Sequence, residues 1–288
     1  MGWAGRTDLA VEPLPGGITN LNYRVDVGGQ AFVIRIPGQD SEHLGIDRHR
    51  EHACSVAAHQ AGVAPGVVAF FEDAGVLVTH FVPGRGLTEE EMHDPRTLSR
   101  VAGALRRYHG GFEFPGIFSP FQTVRDYLAI ASPRGAPLPD RFDWMLAQAD
   151  RLESALAGPR VLRPCHNDLL LANWLDDGER LWLIDWEYAA MGDPFFDLGN
   201  FAVHHQLSDA EEQTLLRAYF GRVMPDAVAR LKLMKIISDL REAMWAMVQV
   251  TISTLDYDFV AYGQKHFDRY TAQLADARLP VWLAEAGS

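Results

Sequence analysis

The chain has 288 residues, 48% of them apolar and 22% charged, the make-up of a folded globular protein and not of a disordered one. Its 26 basic against 38 acidic residues give a formal charge of −12, which argues against a nucleic-acid partner and suits cationic small molecules. No apolar run approaches the ~18 residues that cross a bilayer, and residues 1–12 show no basic stretch leading into an apolar one, so neither membrane insertion nor a signal peptide is expected. Cys54 and Cys165 are too few for a disulfide framework or a four-thiolate zinc site, and they fit a reduced, cytoplasmic setting.

Residues 22–27 alternate, Gly28-Gly29 signals a hairpin turn, and 31–36 is a second strand stopped by Pro37-Gly38. Residues 46–61 predict a helix closed by Gly62. Strands are expected over 67–71 and 76–81, with a turn at 72–75 between them. Pro83-Gly84-Arg85-Gly86 breaks the chain and divides it into a β-rich lobe, 1–83, and a larger part, 84–288. Residues 95–109 predict a helix, with Leu98, Val101, Ala102, Leu105 and Tyr108 on one face. The stretch 112–140, rich in Pro, Gly and Phe, yields no clear element. A second amphipathic helix is expected over 143–157, a strand–loop–strand block over 162–184, and mainly helix from 197 onward. The whole is an α+β arrangement, and the cleft between its lobes is the natural place for a ligand.

The segment His166-Asn167-Asp168-Leu169-Leu170-Leu171-Ala172-Asn173 has the form H-x-D-x-x-x-x-N. That is the spacing of a kinase catalytic loop, where the Asp takes the proton of the attacking hydroxyl and the Asn holds a metal ion. The plainer alternative is a turn that uses Asp and Asn for backbone hydrogen bonds. Trp182-Leu183-Ile184-Asp185-Trp186-Glu187 then places a carboxylate at the exit of an apolar strand. Asn173 and Asp185 are hard oxygen donors suited to Mg²⁺, whose shell phosphates and water complete, and Asp168 is left as the base. Upstream, Pro15-Gly16-Gly17-Ile18-Thr19-Asn20 is a small-residue turn, and Gly17, Thr19 and Asn20 are candidates to approach phosphate oxygens. Arg35 interrupts the apolar strand Phe-Val-Ile-Arg-Ile. It could face solvent, or it could contact phosphates and pair with a helix carboxylate, for which Glu51 is placed. His43, His49, His52 and His59 lack His-Glu-x-x-His spacing and read as solvated helix positions.

These segments together resemble the choline/ethanolamine kinases within the aminoglycoside phosphotransferase group, which share the protein-kinase fold. The resemblance runs from about residue 14 to 270 and rests on Gly-Gly-Ile-Thr-Asn, Cys-His-Asn-Asp-Leu, Ile-Asp-Trp-Glu-Tyr-Ala and Phe-Phe-Asp-Leu-Gly-Asn, with Tyr-Gly-Gln-Lys-His-Phe-Asp-Arg-Tyr near the end. It implies a two-lobed kinase-like fold that uses ATP and Mg²⁺ to phosphorylate the hydroxyl of an amino alcohol, choline or a related amine. It also implies that 76–82, with Thr79 and Phe81, is the hinge whose backbone meets adenine. Tyr188, Trp245, Phe259 and Tyr262 match the aromatic cage of that family, whose faces attract a quaternary ammonium. Two positions depart from the pattern. Glu242 stands where a second cage Trp is expected, and His204 where choline kinases carry a carboxylate; Glu242 could replace that charge from the other side. Another acceptor (an aminoglycoside, thiamine or a sugar) is the nearest alternative, and a nucleotide-binding pseudokinase regulator a more distant one. A protein kinase is disfavoured, since no Ala-Pro-Glu segment or long activation loop lies between Asp185 and Asp197.

Overall fold

The computed structural model describes residues 3, 6–15, 20–38, 41–158 and 161–287. An edge strand β1 (Ala10–Leu14) pairs antiparallel with β2 (Asn20–Val27). Gly28 and Gly29 take φ of 60° and 77°. Those left-handed values suit a two-residue hairpin, and they fold β3 (Gln30–Pro37) back on β2. Helix α1 (Arg48–Gln60) follows, its first turn capped by the Asp47 side chain, which accepts from the His49 and Arg50 N–H groups. β4 (Val67–Phe71) and β5 (Val76–His80) complete a five-stranded antiparallel sheet in the order β1-β2-β3-β5-β4.

The rest of the chain is mostly helical. The strand β6 (Arg85–Gly86) and the short helix α2 (Glu89–Met92) lead into α3 (Pro95–His109), which has the predicted bounds. α4 (Pro120–Ala131) lies inside the stretch that yielded no element. Pro120 follows the Ser119 cap and occupies the first turn, where proline starts a helix and does not break one. After α5 (Phe142–Ala155) come three short strands, β7 (Arg163–Cys165), β8 (Trp174–Asp176) and β9 (Leu181–Leu183), then β10 (Ala190–Gly192). β6, β8 and β9 form one small sheet, and β7 pairs with β10. The chain ends in α6 (Pro194–His204), α7 (Asp209–Phe220), α8 (Pro225–Ile252), α9 (Phe259–Leu274) and α10 (Leu279–Glu285).

The 28-residue α8 is the axis of the larger lobe. It is buried on nearly every side by α4, α6, α9 and α10, although it carries several charged residues. The charges it buries are paired, Lys232 with Asp209 at 2.6 Å and Asp239 with His266 at 2.8 Å. α6 crosses it so closely that a Cβ on Gly199 would lie 2.6 Å from the Lys235 nitrogen, so only glycine fits there. Among the described residues no helix is long and apolar enough to cross a membrane.

Candidate active site

The loop between β7 and β8 carries Asp168, and its shape is held from below. Asn167 has φ 68°, a left-handed value that Asn adopts more readily than most residues. The Asp197 carboxylate, in the first turn of α6, accepts from the His166 N–H at 2.9 Å and the Asn167 N–H at 2.8 Å. The same carboxylate accepts from the Tyr108 hydroxyl at 2.6 Å and lies 3.0 Å from His109 Nε2. Asn200 Oδ1 accepts from the Leu169 N–H at 2.6 Å. His166 braces the loop with both ring nitrogens. Nδ1 accepts from the Asp168 N–H at 3.2 Å, so Nε2 carries the proton that faces Ile184 O at 3.0 Å. Burial pushes the His166 pKa down to about 4, so the ring is neutral at pH 7.

Asn173 joins the loop to the next strand. Its side-chain nitrogen donates to the Asp168 carbonyl at 2.9 Å, and its own backbone carbonyl accepts from the Ile184 N–H at 3.0 Å. Asp185 follows immediately, with φ 66° and a side chain 26% exposed, open enough to be reached by a ligand. Burial raises the Asp168 pKa well above its ordinary value, and the carboxylates of Glu242 and Asp185 add to this while Arg241 opposes it. Burial and then Glu187 push Asp185 up to about 7. The side-chain amide nitrogen of Asn173 is engaged, which leaves its oxygen as the donor, and Asp185 offers a partly exposed carboxylate beside Glu187. This is a donor set that fits a hard divalent cation.

Arg35 is buried, which excludes the solvent-facing alternative. It pairs with Glu51 on α1 and donates to Asp185 Oδ1 at 3.1 Å. A second arginine, Arg48, donates to Glu51 at 2.9 Å, to Glu187 at 3.1 Å and to Asn20 Oδ1 at 3.0 Å. The Asn20 amide in turn donates to Glu187 at 2.9 Å. The start of β2, α1, β3 and the turn after β9 thus meet in one charged knot. Gly17 and Thr19 lie outside the described residues. Thr79 pairs with Val33 in the sheet. The Phe81 N–H is taken by Ala31 O at 3.0 Å and is not free for adenine, and its ring lies under Arg24 at 4.5 Å.

On the α8 side of Asp168, Tyr188, Trp245, Phe259 and Tyr262 come together. Trp245 Nε1 donates to the Tyr188 hydroxyl at 3.0 Å, and the Trp245 ring centroid lies 5.9 Å from Phe259 and 6.0 Å from Tyr262. Glu242 accepts from the Tyr262 hydroxyl at 2.8 Å and from Arg241 at 2.8 Å. Burial alone would raise the Glu242 pKa, but Arg241 and the neighbouring donors outweigh it and hold it at about 2. Burial pushes His204 down to about 3, so it is neutral.

The profile of the family described as "Phosphotransferase enzyme family" matches residues 10–232. The solved structure of a choline/ethanolamine kinase family protein from Mesorhizobium loti is 33% identical, covers 99% of this chain and 93% of its own, and superposes with a TM-score of 0.85. The chain belongs to the phosphotransferase enzyme family, in its choline/ethanolamine kinase branch. The solved choline kinase LicA of Streptococcus pneumoniae is 25% identical over 93% of this chain and 94% of its own, with a TM-score of 0.82. The "Probable ethanolamine kinase A" of Dictyostelium discoideum is 28% identical over 91% of this chain and 85% of its own length.

Four residues that contact the candidate site residues escaped the sequence: Arg48, Asp197, Glu187 and Arg241. Asp197 left a trace, as a lone carboxylate between Phe196 and Leu198 at a helix start. Arg241-Glu242 left one too, as the only charged pair in the apolar run 240–248. The second cluster of possible metal ligands among the described residues, His109, Cys165 and Asp197, is a buried hydrogen-bonding group whose carboxylate already serves the loop.

Proposed function

We propose that this phosphotransferase moves the γ-phosphoryl group of ATP to the hydroxyl of a small amino alcohol. The observation that carries it is the Asn173 junction, which ties the loop bearing Asp168 to the strand end bearing Asp185. The relatives named as choline and ethanolamine kinases support the acceptor class. In this reading residues 1–83 meet the nucleotide, and 84–288 supply the catalytic loop, the metal ligands and the acceptor side.

Asp168 accepts the proton of the acceptor hydroxyl and orients it for in-line attack. Its raised proton affinity makes it a stronger acceptor once ionised, and Arg241 Nη1, 3.9 Å from Oδ1, favours the ionised form. Arg35 neutralises phosphate charge while Glu51 fixes its direction. Gly17, Thr19 and Asn20 cover the phosphates, and Thr79 and Phe81 flank the base. Asn173 and Asp185 would hold Mg²⁺, which when bound neutralises the charge on the phosphates. Tyr188, Glu242, Trp245, Phe259 and Tyr262 receive the amine end. A cytoplasmic site of action belongs to the same proposal, since both thiols are free and buried.

The experiment is ADP production from ATP with Mg²⁺ against choline, ethanolamine, thiamine, an aminoglycoside and a simple sugar. Turnover with an amino alcohol is expected. Turnover only with one of the other acceptors would discard the acceptor class, and ATP binding with no turnover across a wider panel would discard the reaction.

A further inference from the structure

Arg241 stands between the base and the aromatic cluster. Its guanidinium carbon lies 4.6 Å from the Tyr188 ring centroid, and Nη1 lies 3.9 Å from Asp168 Oδ1 and 2.8 Å from Glu242 Oε2. The side chain is 1% exposed, and its Nε and Nη2 have no hydrogen-bond partner among the described residues. One face of Tyr188 therefore already carries a fixed cation.

The dimensions of the acceptor make that placement decisive. Its hydroxyl must come within about 3 Å of Asp168 to give up a proton. Two carbons separate oxygen from nitrogen in a 2-aminoalcohol, so the nitrogen falls within roughly 4 Å of the hydroxyl. A nitrogen on the α8 side of that hydroxyl meets Arg241, Tyr188 and Glu242. A quaternary ammonium has no N–H and is held by aromatic faces. Here the Tyr188 face is taken by a like charge. An ammonium that keeps N–H groups has a different partner, the Glu242 carboxylate. Arg241 donates to one of its oxygens and Tyr262 to the other, and a carboxylate has about four acceptor sites, so capacity remains. Neutral His204 supplies no competing charge.

We propose that Arg241 is the specificity-determining residue of this enzyme: its guanidinium fills the quaternary-ammonium place beside Tyr188, so the site takes an amino alcohol whose nitrogen keeps an N–H, docked on Glu242, and rejects the N-trimethyl analogue. This rests on Asp168 as the base of an amino-alcohol kinase.

The test is a methylation series. Wild-type protein with ATP and Mg²⁺ is assayed for ADP production with 2-aminoethanol and its N-methyl, N,N-dimethyl and N,N,N-trimethyl derivatives. The expected result is a fall in kcat/KM of about tenfold or more at the last methyl, where the final N–H is lost. Arg241→Met keeps the stem and removes the charge, and is expected to erase most of that step. Equal or better turnover of the trimethyl compound by the wild type overturns the proposal, as does a variant whose preference is unchanged. Calorimetric titration with ethylammonium and tetramethylammonium, which carry no hydroxyl, reads the site without the chemistry. Wild type is expected to bind ethylammonium more tightly, and the opposite order overturns the proposal. If Arg241→Met does not fold, the wild-type series and titrations still decide. No ADP with any amine, alongside the expected binding order, would remove the kinase reading and leave the selection by Arg241 standing.

Discussion

Asp197→Asn tests how the catalytic loop is held. The carboxylate accepts from two backbone N–H groups, at 2.9 and 2.8 Å, and from the Tyr108 hydroxyl at 2.6 Å, with His109 Nε2 at 3.0 Å. An amide can keep one of its two positions as an acceptor. The less disruptive rotamer puts the new nitrogen at Oδ1, against the Asn167 N–H. A hydrogen bond to a charged group contributes about 1.5–3 kcal/mol, and removing the charge weakens the others, so the variant should lose about 3–5 kcal/mol. With an unfolding entropy of about 2 cal/mol/K per residue, a chain of 288 residues should melt about 5–8 °C lower. Asn167 adjoins Asp168, and a shift of about 1 Å at a reacting group lowers the rate by about 100-fold. The expected phenotype is thus a large fall in kcat with ATP affinity nearly unchanged. The pH dependence has a definite sign. Burial alone would raise the Asp197 pKa, but its donors outweigh burial and lower it. Its contribution is therefore present above the unfolded value of about 3.9 and lost as pH falls through the folded one, so the gap in Tm should narrow below about pH 4. Circular-dichroism melts, ATP titration and ADP production measure all three. A variant with wild-type Tm and kcat would refute the argument.

The other predictions concern separate parts of the molecule. Asp168→Asn should lower kcat by about 10²–10⁴-fold with ATP still bound, and near-normal turnover would remove it as the base. Arg35→Met should raise the KM for ATP by about tenfold, since one charge-assisted phosphate contact is lost; an unchanged KM would deny it that contact. Asp185, raised to about 7 by burial and Glu187, gives stability that is full below about pH 3.9 and lost as pH rises through 7. Mg²⁺ should therefore raise Tm more at pH 8 than at pH 6, and a larger rise at pH 6 would contradict the assignment. Gly199→Ala places a Cβ 2.6 Å from the Lys235 nitrogen and should destabilise by about 1–3 kcal/mol or more, read as a lower Tm.

The parts legible in the sequence are those written locally. The Gly28-Gly29 hairpin and the bounds of α3 depend on turn residues and on periodicity within one element. The spacing from His166 to Asn173 is likewise a property of one loop. What stayed hidden depends on contacts between distant segments. β1 is an exposed edge strand that gains its place only by pairing with β2, so its residues show no buried face. α4 was obscured because proline breaks a helix or begins one according to its neighbours, and here Ser119 decides. Arg48 meets Glu187 across 139 positions, and Tyr108 meets Asp197 across 89, distances over which no local pattern speaks.

The two halves of the site are built differently, and this bears on how an acceptor can change without loss of the reaction. The side proposed to meet phosphate is fixed by backbone: left-handed residues at Asn167 and Asp185, strand ends, and N–H groups that Asp197 and Asn200 hold in place. Moving any of these shifts Asp168 itself. The acceptor side is fixed by side chains on α8, whose backbone is locked against α6 at Gly199 whatever residues face Asp168. Arg241, Glu242 and Trp245 lie within little more than one turn of that helix. A substitution among them alters charge or ring area next to the hydroxyl, yet leaves the loop, the Asn173 junction and the Arg35–Glu51 pair where they are. Selectivity for the amine should therefore be separable from nucleotide binding. Arg241→Met ought to change the ratio of kcat/KM between methylated and unmethylated acceptors by far more than it changes the KM for ATP. If it changed both equally, the two halves would be one unit.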